Sequence, residues 1–76
     1  MLIRCRFPAA CSSTLEIFDA AGSRVRRLAS GGQPAGARTY GWDGRDDGGR
    51  RVPAGIYLAR LETEWEVATG KLVMAW

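Results

Sequence analysis

The chain has 76 residues, of which 46% are hydrophobic and 25% are charged, with a net charge of +3. This length allows one domain with a thin core, and the composition excludes a disordered polymer. The absence of His excludes His-based acid–base catalysis and most catalytic zinc sites, and no apolar run reaches the roughly 20 residues of a membrane span. We therefore expect a single non-catalytic domain over residues 1–76, with no cofactor and no membrane insertion.

Ten of the eleven cations are Arg, but they are scattered along the chain and eight carboxylates are interspersed with them. This pattern indicates a solvated surface rather than a nucleic-acid interface. Arg4 and Arg6 interrupt the apolar start, so no signal peptide is visible. If the domain works outside the cytoplasm, we expect it either to be part of a longer exported protein or to use an export route without a cleaved signal.

The first predicted strand covers residues 2–7. Ile3, Cys5 and Phe7 alternate with charged residues, which is typical of a strand with one face in the core. Pro8 ends this strand because proline cannot donate to the ladder, and a turn over residues 9–13 is predicted to follow.

The second and third predicted strands, residues 14–19 and 24–29, form a hairpin. Between them, Asp19 can cap backbone donors and Gly22 can take the left-handed conformation that closes the turn. Phe18 falls on the outer face, where it can cover a sheet edge.

The middle of the chain is rich in Gly. Residues 30–37 are predicted to form a loop, and residues 38–42 a fourth strand with Tyr40 and Trp42 facing inward. The polar segment 43–51 is predicted to be a second loop.

The last third of the chain begins with a predicted type I turn over residues 52–55. Residues 56–64 form the longest predicted strand, apolar on both faces at its start and therefore central in its sheet. The final strand, residues 65–76, is predicted to break at a Thr69-Gly70 bend. The whole pattern predicts an all-β fold, a two-sheet β-sandwich of about seven short antiparallel strands, or of six and an edge strand.

Two segments resemble the immunoglobulin-like domain named after the flagellar hook-capping protein, namely Leu15–Leu28 and Trp42–Tyr57. The same family pattern is also resembled by the first strand, Ile3–Pro8, and by the closing residues Lys71-Leu72-Val73. The resemblance therefore covers nearly the whole chain. Cys5 departs from the pattern, which usually has a larger apolar residue there. The positions that carry the structural signature are Asp19, Gly22, Trp42, Asp43, Gly44, Gly55 and Tyr57.

The resemblance implies a small immunoglobulin- or fibronectin-III-like β-sandwich that serves as a non-catalytic module of an exported bacterial protein, located outside the cell or at its surface. In that family, the module either scaffolds the assembly of flagellar hook subunits or ends diverse secreted proteins, where it is similar to secretion sorting domains. The main expectation is a structural, assembly or attachment (sorting) role, with the parent polypeptide or copies of the chain as partners. A hook-cap scaffold domain is the alternative.

Ligand binding is a further alternative. Asp43, Asp46 and Asp47 in a Gly-rich loop are candidates for calcium binding, although their spacing does not match the twelve-residue calcium loop and Asp side chains also cap turns. Trp42, Trp65 and Trp76, with Tyr40 and Tyr57, are candidates for a sugar-stacking platform, although the alternation that places Tyr40 and Trp42 on an inward face favours the core for those two.

The two cysteines allow two states. Cys5 and Cys11 would form a disulfide in an oxidising compartment if their α-carbons lay within about 7 Å. The inward position of Cys5 favours a buried free thiol instead.

The closing segment Lys71–Trp76 is apolar on both faces. Leu72, Met74 and Trp76 share one face, while Val73 and Ala75 share the other. An exposed edge strand normally carries outward charges, so this strand is expected to be central in its sheet or covered by a partner. Residues 71–76 are therefore the candidate protein interface, with a homo-oligomer as one outcome.

Overall fold

The computed structural model describes residues 1–76 and contains six β-strands and no helix. All strand pairs are antiparallel, and they form a two-stranded sheet, β1-β4, and a four-stranded sheet, β3-β2-β5-β6. This confirms the all-β antiparallel class, with six strands where the sequence predicts about seven. No helix long and apolar enough to cross a membrane is present. The strands are β1 (Leu2–Phe7), β2 (Cys11–Asp19), β3 (Arg24–Gln33), β4 (Gly36–Gly41), β5 (Gly55–Thr63) and β6 (Val67–Met74).

The core lies between the two sheets. Trp42, just after β4, is only 2% exposed, and its ring meets the Tyr57 ring of β5 edge-on at a centroid distance of 5.4 Å and an interplanar angle of 68°. The inward position predicted for Trp42 is confirmed. The Tyr57 hydroxyl donates a hydrogen bond to the carbonyl of Pro53 at 2.5 Å, so this side chain also fixes the entry to β5. The buried apolar side chains are Cys5, Phe7, Cys11, Leu15, Ile17, Trp42, Val52, Tyr57, Ala59 and Met74.

The β2–β3 hairpin has the predicted turn. Oδ1 of Asp19 accepts hydrogen bonds from the amides of Ala21, at 3.0 Å, and Ser23, at 2.9 Å. Gly22 has a φ of 88°, in the left-handed region where side chains are strained. Asp19 therefore satisfies backbone donors of the turn, while Gly22 provides its left-handed backbone conformation.

Two predicted connections belong to strands instead. Residues 11–13 of the predicted turn pair with residues 31–33 of the predicted loop, from Cys11 opposite Gln33 to Ser13 opposite Gly31. A polar, Gly-rich segment has a weak strand pattern of its own, and here the ladder with β2 supplies the missing stabilisation. The predicted loop is thereby reduced to a tight connection around Pro34.

The last strand also differs from its prediction. β6 begins at Val67, because Trp65 lies in the turn that joins β5 to β6. Thr69 and Gly70 do not bend the chain, since they pair with Arg60 and Ala59. β6 is an edge strand rather than the central strand that its sequence allows.

Candidate functional site

The polar loop between β4 and β5 is held by its own hydrogen bonds. Oδ1 of Asp46 accepts from the amides of Gly48 and Arg50, each at 2.9 Å, and Oδ1 of Asp43 accepts from the amide of Arg45 at 3.0 Å. The amide of Asp46 donates to the carbonyl of Arg50 at 2.8 Å. Asp side chains thus cap the turns of this loop, as short acceptors do in Gly-rich turns.

The same loop is docked on β3. Oδ1 of Asp47 accepts from the amide of Arg27 at 3.0 Å, while the amide of Asp47 donates to the carbonyl of Val25 at 2.9 Å. Arg26 forms an ion pair with Asp43 at 3.3 Å. These contacts join two segments that are about twenty residues apart in the sequence, so no local pattern indicates them.

The calcium candidates Asp43, Asp46 and Asp47 are therefore directed at N–H groups of the loop and of β3. No group of three or more His, Cys, Asp or Glu side chains converges as metal ligands would. Calcium binding remains a sequence-based prediction, and it has a direct test.

We expect a chelator to leave the melting temperature of the chain unchanged, because the hydrogen bonds of the loop do not require a cation. A ligand bound only to the native state stabilises it by mass action, so removal of a structural calcium ion would lower the melting temperature. Calorimetry with and without excess EGTA measures this, and added calcium serves as the reverse control. A clear drop with EGTA, restored by calcium, would contradict the expectation.

Trp76 is docked on the polar loop. Its indole Nε1 donates to the carbonyl of Val52 at 2.7 Å, and the guanidinium carbon of Arg51 lies 4.2 Å from its ring centroid. The ring lies against Gly44, which has a φ of 76° and no side chain to obstruct it. The signature position Gly44 thus has two structural requirements, a left-handed backbone and the close approach of Trp76.

The exposed tryptophans do not form a common platform. Trp65, 55% exposed, and Trp76, 54% exposed, lie beyond opposite ends of β6, about 25 Å apart by the rise of an eight-residue strand. Trp42 and Tyr57 are buried and Tyr40 is partly buried. The arrangement therefore does not provide the coplanar exposed rings that would stack on a sugar.

Both cysteines are buried free thiols. Burial raises the pKa of the Cys5 thiol, which keeps it protonated and unreactive near neutral pH. The disulfide alternative is thus not the state of this structure, and Cys5 serves as a small apolar core residue.

An apolar surface lies on the outer face of the four-stranded sheet. It consists of Phe18, Ile56, Leu58 and Val73, which we call the outer cluster. Ile56 is directly opposite Val73 and Phe18 is directly opposite Leu58, and all four side chains point away from the core. Val73 is 59% and Ile56 50% exposed. Adjacent apolar side chains that remain this exposed can be covered by a protein partner.

Charges border the outer cluster rather than interrupting it. In the next outward row of the sheet, Glu16 is paired with Arg24 at 3.2 Å and with Arg27 at 3.3 Å. Lys71, opposite Leu58, is the one charged residue of β6. The cluster is therefore an apolar area with a polar border, as the central part of an interface is.

The predicted interface segment Lys71–Trp76 is divided by the structure. Val73 and Ala75 are exposed, whereas Met74 is buried in the core, Leu72 is partly buried and Trp76 is docked on the loop. Only the outward half of the segment is available to a partner. The sequence of Lys71–Trp76 does not indicate which other side chains join Val73 in the outer cluster. The sequence does indicate that Ile56 and Leu58 share one face of β5.

Two antiparallel sheets packed around a buried Trp, with a Tyr hydroxyl bonded to the backbone four residues upstream, define an immunoglobulin-like β-sandwich. Residues 3–65 match the FlgD Ig-like domain. The chain belongs to this family, which confirms the resemblance inferred from its sequence. No curated protein matches the chain.

The chain is also similar to a solved structure, the crystal structure of FlgD from P. aeruginosa. The TM-score is 0.75 at 27% sequence identity, and the match covers 95% of this chain. It covers 55% of the P. aeruginosa chain, so this chain spans about half the length of that relative.

Proposed function

We propose that this chain is a non-catalytic assembly domain of the hook-cap scaffold type, comprising residues 1–76, and that copies of it contact one another through the outer cluster. The observation that carries the proposal is the pair Ile56 and Val73. These side chains lie directly opposite each other, half exposed or more, on the outer face of an edge strand and its neighbour.

The position of β6 supports this proposal. An edge strand exposes unpaired backbone groups, and soluble proteins usually protect such an edge with outward charges or proline. β6 contains no proline and only one charge, Lys71, while its outward Val67 and Val73 are both more than half exposed. A second copy placed against this face would cover apolar area that the fold leaves in water. In a two-fold arrangement, the same patch on each copy would be buried.

The membership in the FlgD Ig-like domain family supports the hook-cap alternative more than the sorting or attachment role that the sequence first suggests. The two roles share a non-catalytic domain that binds protein, and they differ in the partner. The hook-cap role predicts contacts between repeated subunits, whereas sorting predicts recognition by an export machinery. Both place the domain in an exported protein outside the cytoplasm, which is part of the proposal.

Sedimentation of the chain at rising concentration tests the proposed contact. We expect reversible association of the parent chain, weakened at least tenfold by Val73→Asp, because a buried charge without a partner costs more than about 1.4 kcal/mol at the centre of an interface. Thr69→Asp is the matched control, since Thr69 is on the same outer face of β6, outside the cluster and opposite Arg60. A parent chain that stays monomeric at millimolar concentration, or equal effects of the two variants, would contradict the proposed contact.

A further inference from the structure

A groove separates the free edge of β1 from the free edge of β6, on the inner side of the sandwich rather than on its outer face. It has a volume of about 310 Å³, within the range of ligand pockets, and the apolar side chains of Leu15, Ala59 and Leu61 lie along it. We propose that this groove binds an extended segment of a partner protein in which apolar and acidic side chains alternate, and that the segment pairs with β1 as an added strand. This surface is separate from the outer cluster, and the proposal goes beyond the self-contact described above.

The groove exists because two inward positions of β6 carry very small residues. Ala68 lies opposite Leu61, and Gly70 lies opposite Ala59. A methyl group added to Gly70 would meet no heavy atom within 4 Å. The space next to the free edge of β1, facing the inner side of β6, is therefore unoccupied. A third strand of the smaller sheet would fill this space and cover the core.

The backbone of β1 is available on the groove side. β1 pairs only with β4, so half of its backbone groups face away from that partner. No backbone hydrogen bond outside the β1–β4 ladder involves residues 2–7. An added strand would form backbone hydrogen bonds with these groups of β1. It would also place every second side chain into the groove, as strand addition does in known complexes.

The charge of β1 determines which strand fits. Arg4 and Arg6 point outward from β1 and take part in none of the ion pairs of the chain. Their neighbours across the ladder in β4 are Thr39 and Ala37, which are uncharged. Opposite charges stabilise a directly facing cross-strand pair and like charges destabilise it. A second copy of β1 would bring Arg against Arg, whereas a strand with outward carboxylates would pair with both.

The wall of the groove on the β6 side is also consistent with a partner strand whose carboxylates lie beside β1. Its one carboxylate, Glu66, lies at the end of the groove, beside the turn between β5 and β6. The inward β6 residues of this wall are uncharged: Ala68, Gly70 and Leu72. Inserted apolar side chains would therefore meet an apolar lining, with the carboxylates of the partner confined to the β1 side.

The probe for this site is a peptide of about seven residues with alternating Val and Glu, compared with its Lys counterpart and with a scrambled peptide of the same composition. We expect the Glu peptide to bind at least tenfold more tightly than either, measured by NMR titration, with shifts at β1 and at β6 residues 68–72. Equal binding of the Glu and Lys peptides, no binding of the Glu peptide, or shifts confined to the outer cluster would overturn the proposal.

Two matched pairs of variants sharpen this test. Gly70→Val fills the groove and should weaken binding of the Glu peptide at least tenfold, whereas Gly32→Val, at a strand glycine with similar free space, should not. Arg6→Glu should reverse the preference toward the Lys peptide, whereas Arg50→Glu, in the polar loop, should not. Unchanged binding to the Gly70 variant would overturn the groove assignment.

Val73→Asp should retain peptide binding, so failure of the self-contact and failure of this site are distinguishable.

Discussion

Replacing Trp42 with Ala should lower the free energy of unfolding by about 3–5 kcal/mol, the usual cost of removing a buried Trp from a core. The Trp42 ring is almost fully buried and packs edge-on against Tyr57. Its Nε1 also donates to the carbonyl of Arg45 at 3.0 Å, and its backbone pairs with Met1 at both the amide and the carbonyl. The substitution would thus leave a cavity between the sheets and release one end of the polar loop.

This loss would be a large part of the total stability. A chain of 76 residues is expected to have roughly 4–11 kcal/mol, at about 0.05–0.15 kcal/mol per residue. The melting temperature should fall by at least about 12 °C, as measured by circular dichroism or calorimetry. Trp65→Ala is the matched control, because Trp65 is more than half exposed and its loss should change stability by less than about 1 kcal/mol. A Trp42→Ala variant that melts within a few degrees of the parent would contradict the core assignment.

Replacing Gly44 with Ala should destabilise the fold by about 2–4 kcal/mol, from two causes that add. A residue with a side chain at a φ of 76° costs roughly 1–2 kcal/mol in backbone strain. The new methyl group would also overlap Cη2 of Trp76, and it would lie 2.7 Å from Cζ2 of Trp76 and 3.1 Å from Cε of Met74. The indole would have to move into solvent, losing the hydrogen bond to Val52 and the stacked Arg51, each worth about 1 kcal/mol.

Gly49→Ala separates these two causes. Gly49 has a similar φ of 84°, but a methyl group there would meet nothing within 4 Å. It should therefore cost only the backbone strain, and the difference between the two variants measures the contacts of the new methyl group with Trp76 and Met74. Combining Gly44→Ala with Trp76→Ala should reduce the cost of the glycine substitution toward that of Gly49→Ala, with the contact to Met74 as the remainder. Equal effects of Gly44→Ala and Gly49→Ala in the parent chain would show that the contact contributes nothing.

The parts of the fold that the sequence predicts are those with a local physical signal. The alternation of Ile3, Cys5 and Phe7 with charged residues defines β1 to the residue, because a single face of that strand is buried. Asp19 and Gly22 define the β2–β3 turn, because each satisfies a requirement of the turn within a few residues.

The parts that the sequence does not predict depend on distant partners. Residues Ser30–Gln33 extend β3 only because Cys11–Thr14 is available to pair with them. Gly70 remains in an unbroken strand because Ala59 pairs with it, and nothing in the sequence around Gly70 indicates that partner. The hydrogen bonds between Asp47 and β3 also depend on partners that are distant in the sequence.

The candidate site shows a similar division. An apolar C-terminal strand is visible in the sequence and leads to Val73. The side chains that complete the outer cluster come from β2 and β5, and their place beside Val73 follows from strand order and register alone. The groove likewise depends on the two-over-four arrangement of the sheets, which leaves β6 without a strand above it.

A residue-resolved NMR dilution series of the unmodified chain tests most directly whether the domain assembles through its outer face. We expect concentration-dependent amide shifts that cluster at Phe18, Ile56, Leu58 and Val73, with one concentration midpoint for all four and small changes at the polar loop. Shifts that cluster on another surface, or spectra that do not change up to millimolar concentration, would contradict it.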